Sequence, residues 1–239
     1  MKSPQVLDEL QFASDLRSFP DASGSDGELQ IDGDYDRVLF SGCSFADADA
    51  GGARFTECAF TGGAGFDGGR LRRSRLSDVW FSETRLVAVD LAQSSLTDVW
   101  FSGCVFAGVQ AFSVVGRRVS FRGCKLDSVN FRDAKLTDLT FEDCVLRDVD
   151  FGSAKLTRVR FAGSTLVDAD FTRVACKDVD LRGARLGSED TPGIKAGYDS
   201  LSGTRIDTLQ LMTIAPLLAH QLGIKVADLV LQSHFVPGP

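Results

Sequence analysis

The sequence predicts a repeat fold built from five-residue units, and three observations carry that expectation. Phe131, Leu136, Phe141, Leu146, Phe151, Leu156 and Phe161 stand five residues apart without exception. Two positions before them stand Val129, Ala134, Leu139, Cys144, Val149, Ala154 and Val159, with Asp, Arg, Lys, Thr, Ser or Gly in between. Neither regular element explains a period of five. Successive members would step about 140° around a helix, and along a strand they would alternate between faces. Two residues of every five therefore point inward, and the chain turns after each pair.

The elements follow in chain order. Segment 1–36 precedes the clear repeat: "VLDELQFASDL" suits a short helix or strand covering the first coil, and "PDASGSDGE" a flexible connection. The repeat then occupies 37–187. It runs through Phe40, Phe45 and Phe55, slips by one residue between Phe60 and Phe66 in "TGGAG", and continues to Leu186. Ala111 and Gly116 are weak members, so "VQAFSVVGRR" is a candidate bulge. Residues 188–198 leave the pattern as a loop. The last segment, 199–239, regains it with Leu201 and Ile206. "DTLQLMTIAPLLAHQLGIKV" then predicts a helix capped by Asp207 or Thr208, stopped by Gly223 and kinked or divided by Pro216.

Units such as "AKLTD", "VDFGS", "ADFTR" and "VDLRG" resemble the pentapeptide-repeat proteins. That resemblance implies an all-β solenoid, a right-handed quadrilateral β-helix with four pentapeptides per twenty-residue coil and a C-terminal α-helical cap. Stacked coils pair backbone with backbone at about 4.8 Å, giving a rod of roughly 36 Å. A period of twenty is visible in the sequence as columns: Phe81, Phe101, Phe121, Phe141 and Phe161, then Leu181; and Leu76, Leu96, Leu136 and Leu156. The ending "LSGTRIDTLQLMTIAPLLAHQLGI" resembles the cap of the topoisomerase-protecting, quinolone-resistance type of this family. Membership of that type implies dimerisation through the cap and DNA-like acidic rods that bind DNA gyrase.

Composition narrows the function. A net charge of −7 over 239 residues argues against direct nucleic-acid binding. "MKSPQVLDEL" has no apolar core of a signal peptide, and no run reaches the length of a membrane span, so a cytoplasmic protein is expected. Cys104, Cys124 and Cys144 occupy small inward positions, Cys43 joins their column after the slip, and Cys58 and Cys176 are inward too. All six read as small hydrophobes. No CxxC, GxSxG, P-loop or HExxH occurs. The reading is a non-catalytic binding protein without cofactor or metal.

Outward positions supply the candidate sites. Asp47, Asp49, Asp67, Asp90, Asp127, Asp148, Asp150, Asp168 and Asp170 fall on one side as an acidic stripe, interrupted by Arg70 and Arg147. A neighbouring side collects Arg72, Arg73, Arg75, Arg132, Lys135, Lys155 and Arg173. Trp80 and Trp100 stand twenty apart at an outward position and suggest an exposed contact site. Leu209, Leu211, Met212, Ile214, Leu217, Leu218 and Leu222 are too many for one buried helical stripe and suggest a homodimer contact. Two readings result: a DNA-mimicking modulator of DNA gyrase or topoisomerase, or a scaffold for an unrelated protein partner.

Overall fold

A computed structural model of the chain describes residues 29–187, 191–221 and 223–226. The expected helix or strand and the flexible connection of the first 28 residues lie outside the described residues.

The turn that a five-residue period demands comes from one backbone conformation. Every fifth residue, two after each large inward residue, has φ near +55°, from Asp32 and Arg37 through Asp178. This left-handed step swings the chain through a corner, and four corners close a coil. Glycine takes it freely, whereas among other residues Asp and Asn tolerate it best. Asp47, Asp78, Asp98, Asp133, Asp138, Asp143, Asp148, Asp168 and Asp178 all occupy it. Conformation, before any function, thus explains much of the aspartate.

Four faces result. The large inward residues are Phe60, Phe81, Phe101, Phe121, Phe141 and Phe161 on face one, and Phe66, Leu86, Phe106, Leu126, Leu146 and Leu166 on face two. Face three has Leu71, Leu91, Ala111, Phe131, Phe151 and Phe171; face four has Phe55, Leu76, Leu96, Gly116, Leu136 and Leu156. Faces four and one share a 12-stranded parallel sheet whose longest strands, such as Arg75–Ser82, run through the corner between them. Face two is a 7-stranded parallel sheet. Face three is held by single bridges from Asp49 through Arg70, Asp90, Gln110, Asn130 and Asp150 to Asp170. The register is twenty residues: Phe121 lies opposite Phe101 and Phe141. Their rings stack at 4.8 Å, as do those of Phe81 and Phe101.

Where the sequence slips, the register slips. Phe40 pairs with Phe60, twenty residues on, but Phe60 pairs with Phe81. The extra residue lies in "TGGAG", where Gly62 and Gly63 both have positive φ and absorb it within one corner. The expected bulge at "VQAFSVVGRR" does not form. Val115–Arg122 pairs in unbroken register with both neighbouring strands. Instead, the missing side chains of Ala111 and Gly116 leave an apolar void of about 30 Å³, walled by Leu91, Leu96, Phe101, Leu136 and Leu139. Backbone pairing with two neighbours outweighs one poorly filled layer.

The cysteines have a specific task. Corner carbonyls on face one need donors from within the rod. Thr84 Oγ1 donates to Phe60 O at 3.2 Å, and Ser164 Oγ to Phe141 O at 3.1 Å. Between them, the Cys104, Cys124 and Cys144 thiols donate to Phe81, Phe101 and Phe121 carbonyls at 3.3–3.4 Å. The thiols are thus weak donors in a Ser/Thr column, and no disulfide joins two of them. Burial pushes Cys176 up to about 11; hydrogen bonding with Cys104, together with burial, pushes Cys124 up to about 12.

Both ends of the repeat lie beyond the expected bounds. Upstream, Asp34–Asp36 already pairs with Arg54–Thr56, and Tyr35 stacks on Phe55 at 5.0 Å. Downstream, the 188–198 segment is not wholly a loop: Ile194–Ala196 rejoins face three beside Ala169–Asp170, because Ile194 offers a buried inward side chain. Helix α1, Thr208–Gln221, then closes the rod. Asp207 caps it: its carboxylate accepts from Gln210 N–H at 2.9 Å, and Gln210 Oε1 accepts from Asp207 N–H at 2.9 Å. Gln210 Nε2 also donates to the Leu181 and Ala184 carbonyls of the last coil. Gly223 ends the helix with bonds from Gly223 and Ile224 N–H to His220 and Ala219 O. Pro216 does not divide it. The carbonyl that loses a donor belongs to Met212, an exposed residue that water can serve.

Candidate interaction surface

The acidic stripe occupies three adjacent outward columns where face two turns into face three. Asp67 and Asp127 follow large residues of face two, Asp47, Asp148 and Asp168 take the left-handed corner, and Asp49, Asp90, Asp150 and Asp170 precede inward residues of face three. This last group has a local structural task. Each accepts, through Oδ1, the N–H two residues on: Gly51 at 3.1 Å, Ala92 at 3.0 Å, Gly152 at 2.7 Å and Thr172 at 2.8 Å. Asn130 does the same for Arg132 at 3.0 Å. These Asx turns fold face three.

Much of the stripe's charge is compensated. Asp49 pairs with Arg70 at 3.1 Å, Asp67 with Arg85 at 3.4 Å, Asp90 with Arg72 at 3.4 Å, Asp150 with Arg132 at 3.0 Å and Asp148 with Lys195 at 2.6 Å. The Asp148 carboxylate raises the Lys195 ammonium above its ordinary value. Asp47, Asp127, Asp168 and Asp170 keep no ion pair among the described residues. Two adjoining columns, one acidic and one basic, cannot be independent when their side chains span the gap.

A second charged column lies on the corner between faces four and one. In ascending order it reads Glu57, Asp78, Asp98, Arg118, Asp138, Arg158 and Asp178, ending at Gly203. Arg118 holds Asp98 bidentately at 2.6 Å through both contacts, Arg158 holds Asp138 at 2.5 and 2.8 Å, and Arg205 reaches Asp178 at 3.4 Å. Arg158 depresses the Asp138 carboxyl. At the other end, burial and then the like charges of Asp98 and Glu57 raise the Asp78 carboxyl. Sequence reasoning passed over this column. Its signal was legible at period twenty, as alternating signs at one corner position.

The tryptophans stack as neighbouring rungs, with centroids 5.8 Å apart. They are not, however, the exposed pair expected. Trp80 is buried and Trp100 half-buried. The helical cap divides its apolar residues. Ile214 is buried against the last coil and Leu218 packs partly on it, so neither lies on a free face. Leu209 (74%), Met212 (68%), Leu211 and Leu217 are exposed, as are Ile224 and Val226 beyond the helix. Leu222 lies outside the described residues. Among the described residues no helix is long and apolar enough to cross a membrane, and no three His, Cys, Asp or Glu side chains group as metal ligands.

Parts of the chain resemble known proteins. A family model described as "Pentapeptide repeat region" matches residues 114–189, and one described as "Pentapeptide repeats (8 copies)" matches residues 70–108. No curated protein matches. Among solved structures, a trypsin-treated variant of QnrB1, a plasmid-mediated fluoroquinolone resistance protein, is 18% identical. The match covers 82% of this chain and 100% of that one, with a TM-score of 0.43. HetL of the cyanobacterium Nostoc sp. strain PCC 7120, involved in heterocyst differentiation regulation, is 16% identical over 75% of this chain and 92% of that one, at 0.43. Rfr23 of the cyanobacterium Cyanothece 51142 is 16% identical over 54% and 64%, at 0.22. Five-residue corners and a twenty-residue parallel register run through both matched stretches, so residues 70–108 and 114–189 are pentapeptide repeats.

Proposed function

We infer that this protein is a non-catalytic rod that works by binding protein, and that it associates with itself through α1. The observation that carries this reading is the cap. A rod whose described surface elsewhere is mostly charged and polar groups Leu209, Leu211, Met212 and Leu217, all exposed, on one short helix. Large exposed apolar side chains grouped in this way mark a contact surface. Sedimentation of the full chain tests it. Dimers at low micromolar concentration are expected, and Leu209→Glu with Met212→Glu should give monomers of unchanged β-helix content. A chain that stays monomeric at high micromolar concentration overturns the self-association.

A more specific reading is favoured by the acidic side: a DNA-mimicking ligand of DNA gyrase or topoisomerase, the activity that the likeness of the cap to the quinolone-resistance type implies. Duplex DNA presents one charge per about 1.7 Å, so parity with rungs at about 4.8 Å needs roughly three charges per coil. The uncompensated aspartates are Asp47, Asp127, Asp168 and Asp170. That density supports steering toward a basic groove and falls well short of a duplex. The binding-scaffold reading is therefore the better supported of the two. A supercoiling and quinolone-protection assay with purified gyrase separates them. Salt-sensitive inhibition, lost when Asp148, Asp150, Asp168 and Asp170 are all changed to Asn, would favour mimicry. Asn keeps both the corner conformation and the Asx turn, so the fold should survive the change.

A further inference from the structure

The chain as a whole is acidic, yet one end of the rod concentrates cations. An open groove of about 660 Å³ beside the first coils is lined by Arg54, Arg70, Arg72, Arg73 and Arg75 against only Asp32 and Asp49. We propose that this groove binds an acidic peptide segment of a partner protein.

Two of the arginines are already held in place. Arg70 Nε lies 3.1 Å from Asp49 Oδ2, and Arg72 sits between Asp90 at 3.4 Å and the ring of Phe112, 5.6 Å from its centroid. The other three are exposed and have no ion-pair partner among the described residues. Arg54 and Arg75 are moreover direct register partners on adjacent strands. Like charges placed opposite each other destabilise a sheet. The next position in the column is Ser95, which carries no such penalty. Asp34, opposite Arg54 on its other side, offsets part of this cost, and the remainder falls on Arg75, where a bound anion would remove it.

The shape of the groove agrees. Its floor passes over Gly51 and Gly52, where the next coil carries the side chains of Arg72 and Arg73, and the Asp32 and Asp49 carboxylates lie beside the two glycines. At the rim, Ile31 is 63% exposed and offers an apolar contact. Guanidinium forks match carboxylate and phosphate equally well. The two lining aspartates decide between them. They oppose a polymer with a charge at every residue, whereas a peptide can place Glu or Asp opposite Arg54, Arg73 and Arg75 and an apolar side chain against Ile31. The groove lies at the opposite end of the rod from α1, so the proposal stands apart from self-association.

The test is fluorescence anisotropy with the full chain and a labelled (Glu-Gly-Leu)₄ peptide, its Gln counterpart, and a dT₁₂ oligonucleotide. The Glu peptide should bind, the Gln peptide should bind at least about tenfold more weakly, and added salt should weaken the complex. Arg54→Ser with Arg75→Ser, which copies the residue at Ser95, should lose at least about tenfold in affinity with an unchanged circular dichroism spectrum. Should that pair perturb the fold, Arg73→Gln at its exposed corner is expected to weaken binding by itself. Lys155→Ser, several coils away, should leave binding unchanged. Equal binding of the Glu and Gln peptides, no binding of either, tighter binding of the oligonucleotide, or full affinity in the folded arginine variants would each overturn the proposal.

Discussion

Gly116→Ala should make the rod more stable. Gly116 lies in the strand Val115–Arg122, where its column carries Leu96 on one side and Leu136 on the other. It has no positive φ, so no backbone conformation reserves the site for glycine. An added Cβ would lie 3.1 Å from Leu136 Cδ2, 3.5 Å from Leu139 Cδ1 and 3.6 Å from Val119 Cγ2. Only the first contact is tight, and it is to the end of a flexible side chain. The methyl enters the 30 Å³ void; at about 24 cal/mol per Å³, filling it recovers about 0.7 kcal/mol. Restricting the unfolded chain adds roughly 0.5–1 kcal/mol. The expected gain is about 1.2–1.7 kcal/mol, or roughly 2–7 °C in Tm for a domain of this size. Urea titration followed by far-UV circular dichroism measures it, with an unchanged m-value as the check that cooperativity is intact. Gly116→Leu supplies the contrast, since a full leucine exceeds the space and should be destabilising. A neutral or destabilising alanine would refute the void and the register that creates it.

Other outcomes follow from the same packing. Phe141→Ala removes a fully buried ring stacked on Phe121 and Phe161 and should cost about 3–5 kcal/mol, whereas a loss below about 1 kcal/mol would contradict its burial. Asp150→Ala opens an Asx turn that Asp150→Asn preserves, so the alanine should be the less stable of the two by about 1 kcal/mol in denaturant titration. Arg158 holds Asp138 below the unfolded carboxylate value near 3.9, so this pair's contribution is complete above that pH and is lost as pH falls through the lower folded value. Because both side chains are about half exposed, Asp138→Asn should cost only about 0.5 kcal/mol at pH 7 and progressively less as the pH falls below the ordinary carboxylate range, measured by urea titration across that range. Cys104, Cys124 and Cys144 should not react with a thiol reagent at pH 8 in the folded rod and should all react in denaturant; fast labelling of the native protein would refute their burial.

The inward half of the structure was legible because it repeats. Each large residue sees the same surroundings twenty residues on, so columns such as Phe101, Phe121 and Phe141 announce both the coil and its register. Even the slip in "TGGAG" is visible, since adjacent glycines can absorb a residue where others cannot. What stayed hidden does not repeat. Ala111 and Gly116 looked like a bulge because a missing side chain and an inserted residue leave similar marks in a pattern; only strand pairing on both sides tells them apart. Trp80 looked exposed because its position is outward in the unit, yet it is buried while Arg160 in the same column is exposed. The ion pairs across the stripe stayed hidden for the same reason: Arg132 and Asp150 are 18 residues apart, off the period, and meet diagonally.

Surface function is harder to read in this fold than core packing, because the backbone makes its own claims on polar residues. A corner with φ near +55° recruits Asp, and a face built of Asx turns recruits Asp again, so acidic columns arise without any partner to select them. Aspartate is therefore weak evidence of function here. Arginine carries more, since neither the corner nor the Asx turn favours it and its stacking in register is unfavourable. By that standard, Arg54, Arg73 and Arg75 are less expected on this scaffold than the aspartates of the acidic stripe. The cap follows the same logic: burial of Ile214 and Gln210 explains why a helix closes the rod, but it explains nothing about Leu209 or Met212 on the outer face. Residues that the fold does not require are where a partner's contribution would show.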